Sequence, residues 1–223
     1  YMPAVGVAEF RDDMPEPQIE KADDVKIKIR NCGICGSEVH AIHGLHPFRI
    51  PPIVSGHEVA GDVVAVGEGV TKFKVGDRVT VEPHYGCGHC WYCDHGLYNV
   101  CPDKKVLGAG PWSGGLGEYI VTPEQTVVKL PDSLTYEEGA LIEPVANGMY
   151  AVRNSKIDEE TNIVVIGCGP IGIGDFLCAR LYDPRSILMV DVADFNLQKA
   201  REMGAELTCN SRSENLYERV MEL

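Results

Sequence analysis

Four cysteines, Cys87, Cys90, Cys93 and Cys101, lie in the run CGHCWYCDHGLYNVC with spacing C-x2-C-x2-C-x7-C. Four thiolates gathered in so short a stretch close a tetrahedral shell around a zinc ion and leave no position for a substrate. Disulfides would need an oxidising compartment, and nothing in the sequence points to export. A closed zinc site staples a loop, so any chemistry belongs elsewhere in the chain.

Two other stretches join ligand-type residues to glycines, NCGICGSEVH and SGHEVAG. Cys35 and His57 could supply the sulfur and nitrogen of a second zinc, and Glu58 or Glu143 a carboxylate, with one position left open. Taken singly, a cysteine is more often a small core residue and a histidine a hydrogen-bonded loop residue. A third stretch, VVIGCGPIG, sets Gly167, Gly169 and Gly172 in the G-x-G-x-x-G order after an apolar run. That order suits a tight turn, a backbone approach to a pyrophosphate, and close packing of helix on strand. Asp191 ends the next apolar run, where a carboxylate would meet the adenosine ribose and repel the extra phosphate of NADP, which favours NAD.

The elements that must hold these residues change in kind along the chain. Val25, Ile27 and Ile29 alternate with Lys26, Lys28 and Arg30, the period of a half-buried strand. Further strands are expected near Val59–Val66, after a turn at Gly76-Asp77, and on either side of the bend at Pro123, an all-β pattern resembling a small barrel. Thr135 and Glu138 form a capping box that should start a helix. Pro144 is expected to interrupt it and to hold Glu143 at a break between two helical segments. From NIVVIG onward strand and helix alternate, the opening of a doubly wound parallel sheet. Asp194 and Ser213 are the expected caps of its later helices.

The 223 residues carry a net charge of -13, which argues against a nucleic-acid surface or an anionic membrane. No apolar run reaches membrane-spanning length, and the first residues lack a signal-segment pattern. With nine cysteines, a reducing cytoplasm and metal ligation are expected.

The segments CGICGSEVH, GHEVAGDVVAVGEGV, VGDRVTVEP, the four-cysteine loop, TYEEGALIEPVANG and GCGPIG together resemble the zinc-dependent medium-chain dehydrogenases. Glutamate in EEGALIEP makes the polyol, sorbitol-like branch the better match. The resemblance implies a GroES-like β-barrel catalytic domain over residues 1–145, then an incomplete Rossmann NAD-binding domain over 146–223, so an α/β plus β fold. It implies one structural zinc, and one catalytic zinc held by Cys35, His57 and Glu143 with Glu58 nearby. Ser37 and His40 match the family's proton relay, and Pro170 and Ile171 join the three glycines and Asp191 in the cofactor turn. Ala41 stands where some sorbitol dehydrogenases carry a tyrosine lining the substrate pocket.

The expected activity is NAD-linked oxidation of a secondary alcohol of a polyol to a ketone, in a cytoplasmic homo-oligomer, dimer or tetramer. A threonine or sugar-phosphate dehydrogenase would share these motifs, and a non-catalytic zinc-stapled product is the alternative of another class. Family members continue beyond the point where this sequence stops. The 223 residues are therefore expected to be C-terminally truncated, to hold only the adenosine side of the cofactor and to turn over poorly alone.

Overall fold

The computed structural model describes residues 1–223, which divide into two compact units, Tyr1–Glu143 and Pro144–Leu223. In the first unit the strands are β1 (Asp24–Gly33), β2 (Glu58–Val66), β3 (Arg78–Val81), the short pair β4 (His84–Tyr85) and β5 (Lys105–Val106), β6 (Tyr119–Pro123) and β7 (Val127–Lys129). Its helices are α1 (Gly36–Ile42), the single turn α2 (Trp91–Asp94) and α3 (Tyr136–Ala140). Five strands form one antiparallel sheet in the order β6-β1-β2-β3-β7.

That sheet must curl. Its two edges, β6 and β7, are joined only by the 3-10 turn Glu124–Thr126. Four residues of extended chain reach about 14 Å, whereas five flat strands would hold the edges about 19 Å apart. Register shifts in the β1–β2 pair, between Lys26 and Ile27 and between Ile29 and Asn31, add the local bend. The curl encloses Val25, Ile27, Val59, Val63, Val79, Val81, Leu107, Ile120 and Val127 as the core of the unit. The alternation read in Val25 and Ile27 is borne out, although Lys26 is also buried, paired with Glu16. Ala41 is fully buried against Met2 and Ile53 in a small core.

The capping box at Thr135 forms as expected, with Glu138 N donating to Thr135 Oγ1 at 3.2 Å and Thr135 N donating to Glu138 Oε2 at 2.7 Å. The break expected at Glu143 falls earlier. α3 ends at Ala140, and α4 (Ile142–Asn154) already contains Glu143 in its first turn. Pro144 is tolerated because amides in a first helical turn have no intrahelical acceptor to lose.

The second unit builds β8 (Asn162–Ile166), α5 (Pro170–Ala179), β9 (Ser186–Asp191), α6 (Asp194–Glu202), β10 (Leu207–Asn210) and α7 (Leu216–Met221). The three strands are parallel in the order β10-β9-β8. Leu188, Met189 and Val190 of the central strand are fully buried, as a two-sided parallel strand requires. Two expected caps move: Ala193 precedes α6, with Asp194 its first residue, and Asn215 caps α7 in place of Ser213. The Asn215 side chain accepts from the amides of Tyr217 and Glu218, a geometry Ser213 is too far upstream to make. No helix is long and apolar enough to cross a membrane.

Candidate metal centres and dinucleotide turn

The four-cysteine loop is held at its stem by the β4–β5 ladder and contains α2 and a 3-10 turn, neither of which buries a residue. Its sulfurs nevertheless converge: Cys90 Sγ lies 3.6 Å from Cys93 and 3.7 Å from Cys101, and Cys87 Sγ lies 3.9 Å from Cys93. Four thiolates each about 2.3 Å from a tetrahedral zinc stand about 3.8 Å apart, so the donor set fits that ion. Gly86 makes room for it, since a Cβ there would sit 2.4 Å from Cys93 Sγ. The Cys87 amide donating to Cys101 Sγ, followed by the Asp103 amide, pulls the Cys101 thiol down to about 7, towards the thiolate a metal needs.

The second set is built differently. Cys35 precedes the first residue of α1, while His57 and Glu58 lead into β2, and the ligand atoms of all three lie within 4.8 Å of one another. Glu38, only 2% exposed, ties the two segments together. Its Oε2 accepts from the Cys35 amide at 2.9 Å, and its Oε1 lies 2.9 Å from His57 Nδ1 and accepts from Ser55 Oγ at 2.9 Å. Because an ionised carboxylate only accepts, Nδ1 carries the proton and Nε2 keeps a lone pair for a metal. Burial works to raise the Glu38 carboxyl, but His57, Ser55 and the Arg49 charge outweigh it and hold it at about 2.

Glu58 is buried, and desolvation raises its carboxyl above the usual range, with Glu143 adding to the rise and His57 opposing it. Gly33 faces Glu58 across the β1–β2 pair, where a Cβ would lie 2.1 Å from Glu58 Oε2. Gly56, at φ +98°, turns the chain into His57 where no other residue fits. Cys32 is a second sulfur nearby, but burial first, then the charges of Glu38 and Glu58, push its thiol up to about 12. It stays protonated, unlike a ligand. Glu143 lies outside the 4.8 Å set, yet its charge acts on both Glu58 and Arg49. Ser37 Oγ is buried with no hydrogen-bond partner, and His40 is exposed one turn further along α1.

Glu38, Ser55 and Arg49 escaped the sequence reading. The signal for Glu38 was present, because Cys35-x-x-Glu38 has the spacing of a capping box. Nothing local marks Ser55 or Arg49.

In the second unit Gly167 takes φ +106° and Gly172 packs so closely that a Cβ would lie 1.8 Å from Gly167 O. Gly169 caps the ten-residue α5, has open space where its side chain would be, and is followed by Pro170 and Ile171 at the start of the helix. This turn fits a pyrophosphate at a helix N-terminus. Asp191 ends β9 as expected, but its carboxylate is partly engaged. It accepts from Cys168 N at 2.7 Å, Ala193 N at 2.8 Å and Asn196 Nδ2 at 3.1 Å. Partial burial opposes ionisation, and these donors outweigh it, holding the carboxyl below its usual range. A carboxylate has about four acceptor positions, so capacity for a ribose hydroxyl remains.

Comparison with known proteins agrees with this geometry. The alcohol dehydrogenase GroES-like domain matches residues 21–132. The sorbitol dehydrogenase of Bacillus subtilis is 38% identical over 212 residues, 94% of this chain and 60% of that protein. The structure of galactitol-1-phosphate dehydrogenase from Escherichia coli superposes with a TM-score of 0.89 at 32% identity, covering 97% of this chain and 62% of that one. A putative zinc-binding dehydrogenase from Sinorhizobium meliloti bound to NADP gives a TM-score of 0.88 at 31% identity, with 97% and 62% covered. The chain thus spans about 60% of the length of these relatives. With the domain match running through both candidate metal sites as far as Asp132, the chain belongs to the alcohol dehydrogenase GroES-like family.

Proposed function

We propose that the protein carrying this chain oxidises a secondary alcohol of a polyol to the ketone, using NAD and a zinc held by Cys35, His57 and Glu143 with Glu58 beside them. The observation that carries this reading is the convergence of half-buried Cys35 with buried His57 and Glu58, braced by Glu38, with Ser37 Oγ left unpartnered two residues from Cys35. Buried hydroxyls in native proteins find a partner, so a water or a ligand group has a bond to make at Ser37 Oγ.

When bound, zinc supplies Lewis-acid polarisation of the substrate hydroxyl, and NAD supplies the hydride acceptor. The chain's own residues handle the proton. Ser37 Oγ takes it from the substrate hydroxyl, and His40, three residues on and so on the same face of α1, passes it to solvent. NAD, held by the glycine turn and Asp191, would supply the acceptor for the carbinol hydride, so that proton and hydride would leave separately. Glu143 enters this ligand set on the resemblance to the polyol dehydrogenases, and its charge is felt at both Glu58 and Arg49. Asp191 favours NAD over NADP by charge, and Gly167, Gly169, Pro170, Ile171 and Gly172 cradle the pyrophosphate. A cytoplasmic homo-oligomer is part of the same reading.

The sorbitol dehydrogenase match supports a polyol. The galactitol-1-phosphate dehydrogenase neighbour favours a second reading, a phosphorylated polyol. Rates measured on a panel of free and phosphorylated polyols, with each nicotinamide and with zinc removed, separate them. Zinc- and NAD-dependent oxidation of free polyols is expected; a rate that requires the phosphate selects the second reading, and zinc-independent turnover overturns both. Glu143→Ala should lose the reactive zinc and most turnover while retaining the four-cysteine zinc. If it keeps two metals, Glu58 is the ligand.

A further inference from the structure

Arg49 is 3% exposed, a buried cation that neither zinc set nor the proton relay uses. Its Nη1 donates to the carbonyls of Leu107 and Gly108, both at 2.9 Å. These bonds occupy both hydrogens of that nitrogen, so its 3.5 Å approach to Glu38 Oε1 is an ion pair. On one side, then, Arg49 meets the carboxylate that orients His57 and holds the Cys35 amide. On the other it grips the segment directly after β5, the returning strand of the cysteine loop's stem.

Leu107 is fully buried, and its amide donates to Pro83 O at 2.8 Å, just before β4. Gly108 adopts φ +71°, and a Cβ there would stand 2.9 Å from Arg49 Nη1, so the glycine clears the space the guanidinium fills. Arg49 N also donates to His46 Nδ1 at 3.1 Å, which fixes the backbone from which the side chain departs. The links between the stem of the loop and the ligand pair are therefore hydrogen bonds of 2.8 to 2.9 Å on the stem side and a buried ion pair at 3.5 Å on the Glu38 side.

We propose that Arg49 is a positioning residue that couples the four-cysteine loop to the reactive metal site, through Leu107 and Gly108 on one side and Glu38 on the other. The proposal rests on reading Cys35, His57 and Glu58 as part of a metal site. Neutralising Glu38 keeps its carboxylate turned to His57 and Cys35, and the carbonyl grip makes that orientation depend on the loop's stem. Arginine suits the task because one arm of its planar fork, Nη1, donates to two carbonyls while the charge serves a third group.

The test is zinc release to a chromogenic chelator from the intact chain and from Arg49→Met, Cys87→Ser and the double variant. Cys87→Ser identifies which release phase belongs to the loop. In Arg49→Met the reactive zinc should leave about tenfold faster, the low end of what partners behind metal ligands contribute, while the loop zinc is unchanged. Cys87→Ser should also hasten release from the reactive site, and that effect should vanish in the Arg49→Met background, since coupled residues are not additive. Arg49→Lys, which keeps the charge and loses the fork, should lie between, and it serves if Arg49→Met does not fold. Two zincs with unaltered release from Arg49→Met, or an equal Cys87→Ser effect in both backgrounds, overturns the proposal and leaves the metal reading standing. A single zinc in the unsubstituted chain overturns the reading itself, and the proposal with it.

Discussion

The two candidate metal sites of the first unit are made in opposite ways. In the four-cysteine loop every ligand comes from fifteen consecutive residues, and three of the four cysteines are only partly buried. Trp91, Tyr92, Leu97 and Val100 around them are exposed, so little apolar burial holds the loop together. At Cys35, His57 and Glu58 the ligands come from separate segments, and buried Glu38, Ser55 and Arg49 fix their directions. Little other than an ion would hold the first set together. The second is organised by the protein before an ion arrives, and that is the condition under which a metal can keep a position open for chemistry.

Removing each ion is the strongest way to break this contrast. Apparent binding energies of structural zinc run to about 10–16 kcal/mol, and that energy is folding energy where no preformed site exists. Chelation or Cys87→Ser should therefore unfold residues 86–101, seen as rapid amide exchange and a new proteolytic cut there, while the β1–β2–β3 core keeps its protection. Loss of zinc from the reactive set should leave its segments folded. A loop that stays protected without zinc would erase the distinction.

Glu38→Ala should separate the sites from the other side. It strips His57, Cys35 and Ser55 of one shared acceptor and leaves Arg49 a buried cation without its counterion. Breaking a buried pair from one side costs about 3 to 5 kcal/mol, and loss of a partner behind a ligand lowers metal affinity about 10- to 100-fold. Denaturant midpoints and zinc titration check both numbers. The four-cysteine zinc should be indifferent.

A smaller test carries the same contrast into the glycine turn of the second unit, where one position is packed and another is open. Gly172→Ala would drive a Cβ to 1.8 Å from Gly167 O and should cost about 1 to 3 kcal/mol of stability. Gly169→Ala meets open space and should leave stability within about 0.5 kcal/mol, while weakening dinucleotide binding by blocking the backbone approach. Melting curves and NAD titration distinguish them; equal melting losses would remove the pyrophosphate role from Gly169.

The least effect is expected at Asp191. Asp191→Ala should narrow the preference for NAD over NADP about tenfold, the equivalent of about 1.4 kcal/mol, measured by paired cofactor titrations. It should also loosen the turn at Cys168, whose amide would lose its acceptor. An unsubstituted protein that binds NADP more tightly would contradict the ribose assignment.

How much of this was legible in the chain follows from the range of each interaction. Cys87 to Cys101 could be read as one site because their spacing is short enough to act without the rest of the fold. Gly167, Gly172 and Asp191 were legible because turn geometry and the ends of parallel strands impose residue types locally. The break between α3 and α4 falls at Leu141 and not at Glu143, because Pro144 is tolerated anywhere in a first turn, so the second helix can start two residues before it. Asp194 falls inside the first turn of α6 because Ala193, which offers no side-chain acceptor, holds the cap position, and the cap of α7 falls two residues beyond Ser213, at Asn215, whose side chain reaches the Tyr217 and Glu218 amides.

By itself the sequence determined the alternation of strand and helix, the four-cysteine loop, the glycine turn after β8 and the short list of residues able to ligate a second metal. Tertiary structure alone decided that Glu38 joins Cys35 to His57, that Ser37 Oγ is sealed without a partner, and that Arg49 reaches from Glu38 to Leu107 and Gly108. Those contacts cross up to 59 positions of chain. They exist only because the five-stranded sheet curls and buries them together, where low dielectric makes each polar pairing too costly to leave unmade.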